Sequence, residues 1–267
     1  MNRIAVFDSG LGGLTVLKTL REHFPQADYF YLGDTARLPY GSKSPEVVKR
    51  YALECAQFLS RFNPDALIVA CNTASSLALE LLEKEFSFPV IGMIDPVVEH
   101  VFRVAPRSSV AVLGTKATIA SGAYQKKLSE VSPTVSVHAK ACPLFVPFVE
   151  EGVFTGPLIE GIIDLYLSSL RTVALDTLIL GCTHYPLLHD QLAAYFGGHV
   201  EIVECGQGVL SELAKLPISR SERKGTAQFF VTDDVTSFSH LASLFLGNPP
   251  QVEKVELTTF YESAVGW

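Results

Sequence analysis

The 267-residue sequence lacks the features that place a protein in a membrane or on a nucleic acid. No run of apolar residues is long enough to span a bilayer, and the N-terminus shows no basic region followed by an apolar stretch and a cleavage site. Lysine and arginine are scattered, and the net charge is −7 at pH 7. A basic patch that would bind nucleic acid or anionic lipid is therefore missing. We predict a cytoplasmic protein with no nucleic-acid or membrane partner.

The sequence also lacks closely spaced cysteines. Its five cysteines are an odd number, and no two of them form a C-x-x-C pair or a metal-site spacing. Disulfides are not expected in a cytoplasmic chain, so each cysteine is either a small buried hydrophobe or a reactive thiol. Cys55, within a helical pattern, and Cys142, before Pro143, are predicted to pack in the core. Cys205 fits both interpretations.

Short apolar runs alternate with amphipathic helical stretches, which is typical of a parallel sheet flanked by helices. Hydrophobic residues make up 48% of the chain, enough for one large domain or two compact ones. The predicted strands are 3–7, 29–32, 66–70, 90–94, 109–113, 177–180, 201–204 and 227–232. Clear helical patterns cover 14–23, 45–62 and 74–86.

Two stretches of the chain resemble each other. DALIVACNT begins at Asp65 and DTLILGCTH at Asp176, and in each a cysteine stands six positions after the aspartate. AVFDS at 5–9 and AVLGT at 111–115 form a second pair at nearly the same separation. We therefore predict an α/β protein of two similar lobes, each a mostly parallel sheet flanked by helices, with the active site in the cleft between them. The predicted lobes are 1–95 plus 207–267, and 96–206.

Cys71 and Cys182 each follow a predicted strand, at the edge of the sheet where α/β proteins bind ligands. A thiol there meets backbone N–H groups and a helix N-terminus, which lower its pKa. One such cysteine alone is more often a buried packing residue. Two at equivalent positions of facing lobes would approach one ligand from opposite sides. A cysteine hydrolase leaves one of them without a role, whereas a racemase needs an acid and a base on opposite faces of a stereocentre.

The glycine-rich turn DSGLGG at 8–13 differs from a phosphate-binding fingerprint because an aspartate leads it. The carboxylate of Asp8, at the tip of the first strand, would repel a phosphate. It suits a ligand that carries an ammonium group.

Five stretches, spread over most of the chain, carry a family resemblance: DSGLGGLTV (8–16), DTARLPYG (34–41), ACNTAS (70–75), CPLFVPFVEEG (142–152) and GCTHYPLL (181–188). With them the chain resembles the glutamate racemases of the aspartate/glutamate racemase family. VECGQGV at 203–209 departs from the family's usual run, which more often has Asp-Ser near its centre. The resemblance implies racemisation of L- and D-glutamate without a cofactor or metal, and D-glutamate supply for peptidoglycan. The sequence does not fix the oligomeric state, and a homodimer is compatible with it.

The resemblance also implies the roles of individual residues. Cys71 and Cys182 are then the acid/base pair, with Cys71 acting on D-glutamate and Cys182 on L-glutamate, and His184 and Glu150 assist the second thiol. Asp8 and Ser9 would hold the substrate ammonium and orient the first thiol. The residues assigned to the substrate carboxylates and to the turn that closes over them are Asn72, Thr73, Thr115 and Thr183, and Pro39, Tyr40 and Gly41.

Other interpretations remain open at this point. An aspartate racemase or related isomerase could use the same thiols, and a two-lobed binding protein for a small acid could carry them incidentally. His184 could cap the following helix, and Thr73 and Thr183 could satisfy N–H groups at helix N-termini. Arg37 could be a solvated surface charge. Only seven residues precede Asp8, so we expect no regulation through an N-terminal extension.

Overall fold

A computed structural model describes residues 2–104, 108–217, 223–247 and 250–257. Within these ranges the strands form two sheets, one of six strands and one of four. Helices flank both sheets, so the predicted α/β architecture with two lobes is confirmed. Among the helices described, none combines the length and apolar character that crossing a membrane requires.

The strands alternate with helices along most of the chain. The strands are β1 (Arg3–Asp8), β2 (Asp28–Gly33), β3 (Ala66–Val69), β4 (Val90–Ile91), β5 (Ser109–Gly114), β6 (Ser136–Ala141), β7 (Thr177–Gly181), β8 (Glu201–Glu204), β9 (Ala227–Val231) and β10 (Val252–Lys254). The helices are α1 (Leu14–His23), α2 (Pro45–Ser60), α3 (Asn72–Glu85), α4 (Ile94–Val104), α5 (Lys116–Ser121), α6 (Ala123–Val131), α7 (Phe145–Glu150), α8 (Pro157–Leu167), α9 (His189–Tyr195), α10 (Cys205–Leu213) and α11 (Val235–Leu246).

Every pair of neighbouring strands is parallel. The first sheet has the order β10-β9-β2-β1-β3-β4 and the second the order β6-β5-β7-β8. Strands β3 and β7 lie inside their sheets with every residue buried. Such continuous apolar runs are typical of parallel strands that are covered by helices on both faces.

Three elements differ from the prediction. The strand expected at 90–94 ends at Ile91, and α4 begins at Ile94 with Asp95 and Pro96 in its first turn, where a missing N–H costs no helical hydrogen bond. Strands β6 and β10 were not predicted. Both are edge strands without a fully buried residue, so their sequences lack the apolar signal of the inner strands.

The repeated aspartates perform the same task in the two sheets. Asp65 Oδ2 accepts hydrogen bonds from the N–H groups of Asn2 and Arg3, at 2.7 and 2.9 Å. Asp176 Oδ2 accepts from those of Ser108 and Ser109, at 2.8 and 2.9 Å. Each carboxylate, placed just before one strand, therefore fixes the start of the neighbouring strand. The two repeated stretches therefore share an aspartate that anchors the neighbouring strand, as well as a cysteine at the end of their own strand.

The two sheets share part of one hydrophobic core, which contains Val6 and Ile68 of the first sheet and Val112 and Ile179 of the second. The last strands of the chain, β9 and β10, belong to the first sheet through the pairing of β9 with β2. Helix α10 packs against α1 and α4, close to where the chain passes between the sheets. The exact lobe boundaries, 1–95 plus 207–267 and 96–206, stay a prediction.

Candidate active site

Cys71 and Cys182 lie at the carboxyl ends of equivalent strands. Cys71 follows β3 and occupies the N-cap position of α3. Cys182 follows β7 directly. Both side chains are buried, with 5% of each residue exposed, and both line one cavity between the sheets. The two cysteines singled out by the repeat are thus brought together at the edge where open α/β sheets bind ligands.

The cavity between the sheets is small, about 20 Å³, which is room for about one water molecule. Eleven of the thirteen residues predicted for the site line it. The other two, Asp8 and Glu150, each contact a residue that does. The complete lining comprises Ser9, Leu38, Pro39, Tyr40, Gly41, Cys71, Asn72, Thr73, Thr115, Val146, Cys182, Thr183 and His184.

The Cys71 thiol faces Ser9, and its sulfur lies 3.6 Å from the serine Oγ. Burial and the nearby carboxylate of Asp8 raise the pKa of Cys71 to about 12, although hydrogen bonding with the Ala74 N–H and with the Ser9 side chain acts in the opposite direction. The expectation that its strand-end position lowers the pKa of this thiol is therefore wrong in this closed conformation. The N–H groups of the helix are present as predicted, but desolvation outweighs them.

The Cys182 thiol has a different partner, an imidazole. Its sulfur lies 3.8 Å from Nδ1 of His184, whose Nε2 is hydrogen-bonded to a carboxylate oxygen of Glu150. Burial opposes the charged imidazolium, but the hydrogen bonds to Cys182 and Glu150 outweigh it and raise the pKa of His184 well above its usual value. The imidazole therefore lies between the Cys182 sulfur and the Glu150 carboxyl group. The alternative role of His184 as a helix cap is wrong, because its side chain makes no capping bond.

Asp8 lies behind the cavity wall and is fully buried. Its Oδ2 accepts from the Gly10 N–H at 3.0 Å, and its Oδ1 accepts from the Thr183 hydroxyl at 3.2 Å. Burial raises the pKa of Asp8, while the His184 charge and these hydrogen bonds lower it and compensate only in part. The carboxylate therefore links the tip of β1 to the segment that carries the second cysteine.

The glycine-rich turn packs against the opposite sheet. A Cβ on Gly12 would lie 2.5 Å from both Nδ1 of His184 and Oγ1 of Thr183. One on Gly13 would lie 2.5 Å from Cβ of Asp8. The hydroxyl of Thr15 also donates to the carbonyl oxygen of Thr183, at 3.1 Å. Close approach to the second sheet thus requires glycine at position 12, and the neighbouring Asp8 side chain requires it at position 13.

Three threonine hydroxyls close the cleft on the Cys71 side. Oγ1 of Thr73 lies 2.9 Å from Oγ1 of Thr115 and 3.2 Å from Oγ1 of Thr118. Thr115 is the N-cap of α5 and accepts from the N–H of Thr118. The hydroxyls of Thr73 and Thr183 form hydrogen bonds with the side chains of Thr115 and Asp8. The interpretation that they only satisfy N–H groups at helix N-termini is therefore wrong.

The LPYG turn covers the cavity from the first sheet. Tyr40 and Gly41 line the cavity, and a Cβ on Gly41 would collide with the side chain of Thr115. The Tyr40 hydroxyl points away from the cavity and donates to Asp34. Arg37 pairs with Asp34 at 2.6 Å and with Glu54. The interpretation of Arg37 as a solvated charge is therefore wrong, since it holds the turn to α2.

Sequence reasoning missed five residues at the site. Leu38 and Val146 line the cavity, and they lie within the LPYG and CPLFVPF stretches that the sequence singled out. Thr118 stands three residues after the N-cap threonine, a spacing that could have indicated it. Tyr124 and Cys205 contact Asn72 over separations of 52 and 133 residues. No local pattern indicates Tyr124, and for Cys205 the sequence left both a packing role and a reactive thiol open.

Comparison with known proteins gives a consistent result. A sequence model of the family described as Asp/Glu/Hydantoin racemase matches residues 15–210. A curated glutamate racemase of Persephonella marina is 45% identical over 255 residues, which cover 96% of this chain and 97% of that protein. The structure of a glutamate racemase isoform from Bacillus anthracis matches with a TM-score of 0.92 at 36% identity, covering 96% of this chain and 98% of that one. The glutamate racemase of Francisella tularensis, solved in complex with D-glutamate, matches with a TM-score of 0.90 at 33% identity, over 97% and 99% of the two chains.

Proposed function

This chain belongs to the Asp/Glu/Hydantoin racemase family, and from that premise we propose that it interconverts L- and D-glutamate without a cofactor, by proton transfer to and from two thiols. The observation that carries the proposal is the pair Cys71 and Cys182, which line one buried cavity from the ends of equivalent strands. Inverting a stereocentre requires a base on one face and an acid on the other. The repeated strand-end cysteine provides one group for each face.

Glutamate is the substrate that the relatives support, because the curated relative and both solved structures are glutamate racemases and one of them contains D-glutamate. In the proposed complex, Ser9 faces the ammonium group, and the Asp8 carboxyl group acts on it from behind the cavity wall. The two carboxylates of the substrate accept hydrogen bonds from the side chains at the N-termini of α3 and α5 and from Thr183. The turn of Pro39, Tyr40 and Gly41 closes over the substrate. The exclusion of water strengthens each of these interactions.

The α-proton of an amino acid is very weakly acidic, so the negative charge that develops on the substrate must be stabilised by groups already in place. N–H and hydroxyl donors around the α-carboxylate supply this stabilisation, and the attached ammonium helps to acidify the carbon. The proposal requires no electron sink beyond these groups.

The charges around the two thiols favour one starting state. The pKa of about 12 keeps Cys71 protonated at neutral pH, and in the proposed starting state Cys182, which lies beside His184, is the base. Cys182 then takes the α-proton of L-glutamate while Cys71 gives its proton to the opposite face, which yields D-glutamate. The thiol and thiolate have exchanged places after one turnover. Proton exchange with solvent restores the starting state.

The biological setting is part of the proposal. The resemblance implies a cytoplasmic enzyme whose D-glutamate enters bacterial peptidoglycan, and a homodimer is compatible with it. The competing functions are an aspartate racemase and a two-lobed binding protein for a small acid. Neither is favoured by a feature of the cavity.

The decisive experiment follows optical activity after the purified, extensively dialysed protein is added to L-glutamate, with L-aspartate in a parallel sample. We expect L-glutamate to lose its optical rotation as D-glutamate forms, and L-aspartate to react at least about tenfold more slowly. The variants Cys71→Ser and Cys182→Ser should not turn over, because an alkoxide is far less accessible than a thiolate at neutral pH. Faster reaction of L-aspartate would favour the first alternative, and binding without racemisation the second.

A further inference from the structure

The side-chain amide of Asn72 is held from the opposite sheet. Asn72 begins α3 in the first sheet's lobe and lines the cavity. The hydroxyl of Tyr124, from α6, donates to its Oδ1 at 2.7 Å. Its Nδ2 donates to the sulfur of Cys205 at 3.2 Å. Cys205 follows β8 directly, so both partners come from elements around the second sheet.

These contacts determine which atom of the amide can meet a ligand. The Cys205 thiol has one hydrogen, and its nearest acceptor is the carbonyl oxygen of Leu180, 3.0 Å away, against 3.5 Å for Oδ1 of Asn72. The sulfur therefore acts as an acceptor toward Asn72. With Oδ1 taken by Tyr124 and one N–H by Cys205, the remaining polar hydrogen of the amide is its second N–H. A flipped amide would reverse both contacts: the Tyr124 hydroxyl would have to accept, and the Cys205 thiol would have to leave the Leu180 carbonyl and donate to the amide oxygen.

We propose that Tyr124 and Cys205 are positioning residues that make Asn72 a hydrogen-bond donor to a substrate carboxylate. The inference rests on the proposed function, since it assigns the carboxylate of an amino-acid substrate as the acceptor. An amide oxygen facing that carboxylate would repel it, so the orientation decides the sign of the interaction. Both partners belong to the second sheet's lobe, and Asn72 is therefore oriented correctly only while the lobes are together.

All three side chains are buried, with no more than 2% exposed, so a purely structural role must be separated from this one. Tyr29 provides a matched control because it is also a buried tyrosine. Its hydroxyl hydrogen is within reach of two backbone acceptors, the carbonyl oxygens of Leu20 and Phe24, at 2.9 and 3.0 Å from the hydroxyl oxygen. Tyr29→Phe and Tyr124→Phe remove the same atom from equally buried rings. Of the two variants, Tyr124→Phe removes a hydrogen-bond donor from Asn72, which lines the cavity, whereas Tyr29→Phe leaves Asn72 unchanged.

The kinetic test compares Tyr124→Phe, Cys205→Ala and Cys205→Ser with Tyr29→Phe. Loss of one neutral hydrogen bond should lower kcat/KM for glutamate by about two- to tenfold in Tyr124→Phe and Cys205→Ala. Cys205→Ser keeps a donor and an acceptor and should recover most of the activity. In an Asn72→Ala background, Tyr124→Phe should have no further effect on kcat/KM. Equal losses in Tyr124→Phe and Tyr29→Phe, or full additivity with Asn72→Ala, would overturn the inference.

A second readout does not depend on turnover. The two side-chain amide protons of Asn72, identified in nitrogen-15 spectra by their loss in Asn72→Ala, should exchange slowly with solvent in the wild type and in Tyr29→Phe. They should exchange faster in Tyr124→Phe. A wild type that fails to racemise glutamate would contradict the proposed function, and these spectra would still test the orientation of the amide. A racemising wild type whose Asn72 protons are unaffected by Tyr124→Phe would contradict the inference alone.

Discussion

Thr73 and Thr115, which belong to the lobes of different sheets, face each other across the cleft with their hydroxyl oxygens 2.9 Å apart. Thr118 completes a triangle of hydroxyls, so these groups satisfy one another while the cavity holds about 20 Å³. An amino acid does not fit into that volume. The proposed function therefore requires the lobes to separate to admit a substrate and to close again around it, and we expect the hydroxyls then to turn toward its carboxylate.

This requirement predicts a change in backbone protection. Saturating D-glutamate should slow hydrogen exchange in residues 8–16, 71–76 and 182–188, because a bound ligand bridges the two lobes and reduces their opening. Exchange in 157–167, a helix on the outside of the second lobe, should remain the same and serves as the internal control. Mass-spectrometric exchange with and without ligand measures both. Unchanged protection in all three site segments would count against a binding site shared by the lobes.

Replacing Asp8 with Asn should lower the activity of the protein without lowering its stability. The variant keeps the shape of the side chain and removes the carboxylate that, in the proposed complex, acts on the substrate ammonium. We expect kcat/KM to fall by at least about tenfold, equivalent to about 1.4 kcal/mol of transition-state stabilisation. Near wild-type kcat/KM would show that Asp8 serves only the turn.

The stability of Asp8→Asn, compared with that of the wild type, should increase as the pH rises. Burial raises the pKa of Asp8 above 3.8, so the folded wild type binds more protons at this site than the unfolded chain once the pH exceeds about 3.8. Its stability is therefore lost as pH rises toward the folded pKa, and Asp8→Asn lacks this loss. Denaturant unfolding from pH 4 to 8 should show the variant gaining stability relative to the wild type. A relative loss over that range would contradict the effect of burial on Asp8.

A methyl group on Gly12 should damage the Cys182 side of the site. Its Cβ would lie 2.5 Å from Nδ1 of His184 and 2.5 Å from Oγ1 of Thr183, so both side chains would have to move. We expect Gly12→Ala to lower kcat at least about tenfold by displacing the imidazole from the thiol. Gly161→Ala, in α8 with no atom within 4 Å of the added carbon, is the matched control. It should keep full activity and stabilise the helix by about 0.5–1 kcal/mol.

Glu150 should set the upper pH limit for the reaction of L-glutamate. The hydrogen bonds of His184 to Cys182 and Glu150 overcome burial and raise its pKa, so the imidazole keeps its proton to a higher pH than free histidine. Activity that depends on the imidazolium is present at low pH and falls as pH rises through this pKa. Glu150→Gln removes the carboxylate charge and should move the alkaline fall of kcat/KM to lower pH. If the alkaline fall of kcat/KM occurs at the same pH in Glu150→Gln as in the wild type, His184 does not control it.

The sequence predicted the elements whose information is local or repeated. The buried strands ending at Cys71 and Cys182 are continuous apolar runs, and the repeat of aspartate, strand and cysteine indicated two lobes facing one site. The edge strand β6 was missed because its residues are only half-buried. The direction of the Cys71 pKa shift was missed because it depends on closure of the cavity and on Asp8, 63 positions earlier in the chain. The hydrogen bond from Tyr124 to Asn72 likewise forms only when the two sheets come together.

The two-thiol mechanism is tested most directly by the position of solvent deuterium early in the reaction of L-glutamate in deuterated water. In the proposed mechanism, Cys182 removes the substrate protium, and Cys71, already equilibrated with solvent, delivers deuterium to the opposite face. Newly formed D-glutamate should therefore carry deuterium at its α-carbon while the remaining L-glutamate initially keeps protium, as proton NMR or mass spectrometry of the separated enantiomers would measure. Deuterium entering the unreacted L-glutamate as fast as product forms, or substrate protium appearing in D-glutamate, would contradict separate acid and base thiols.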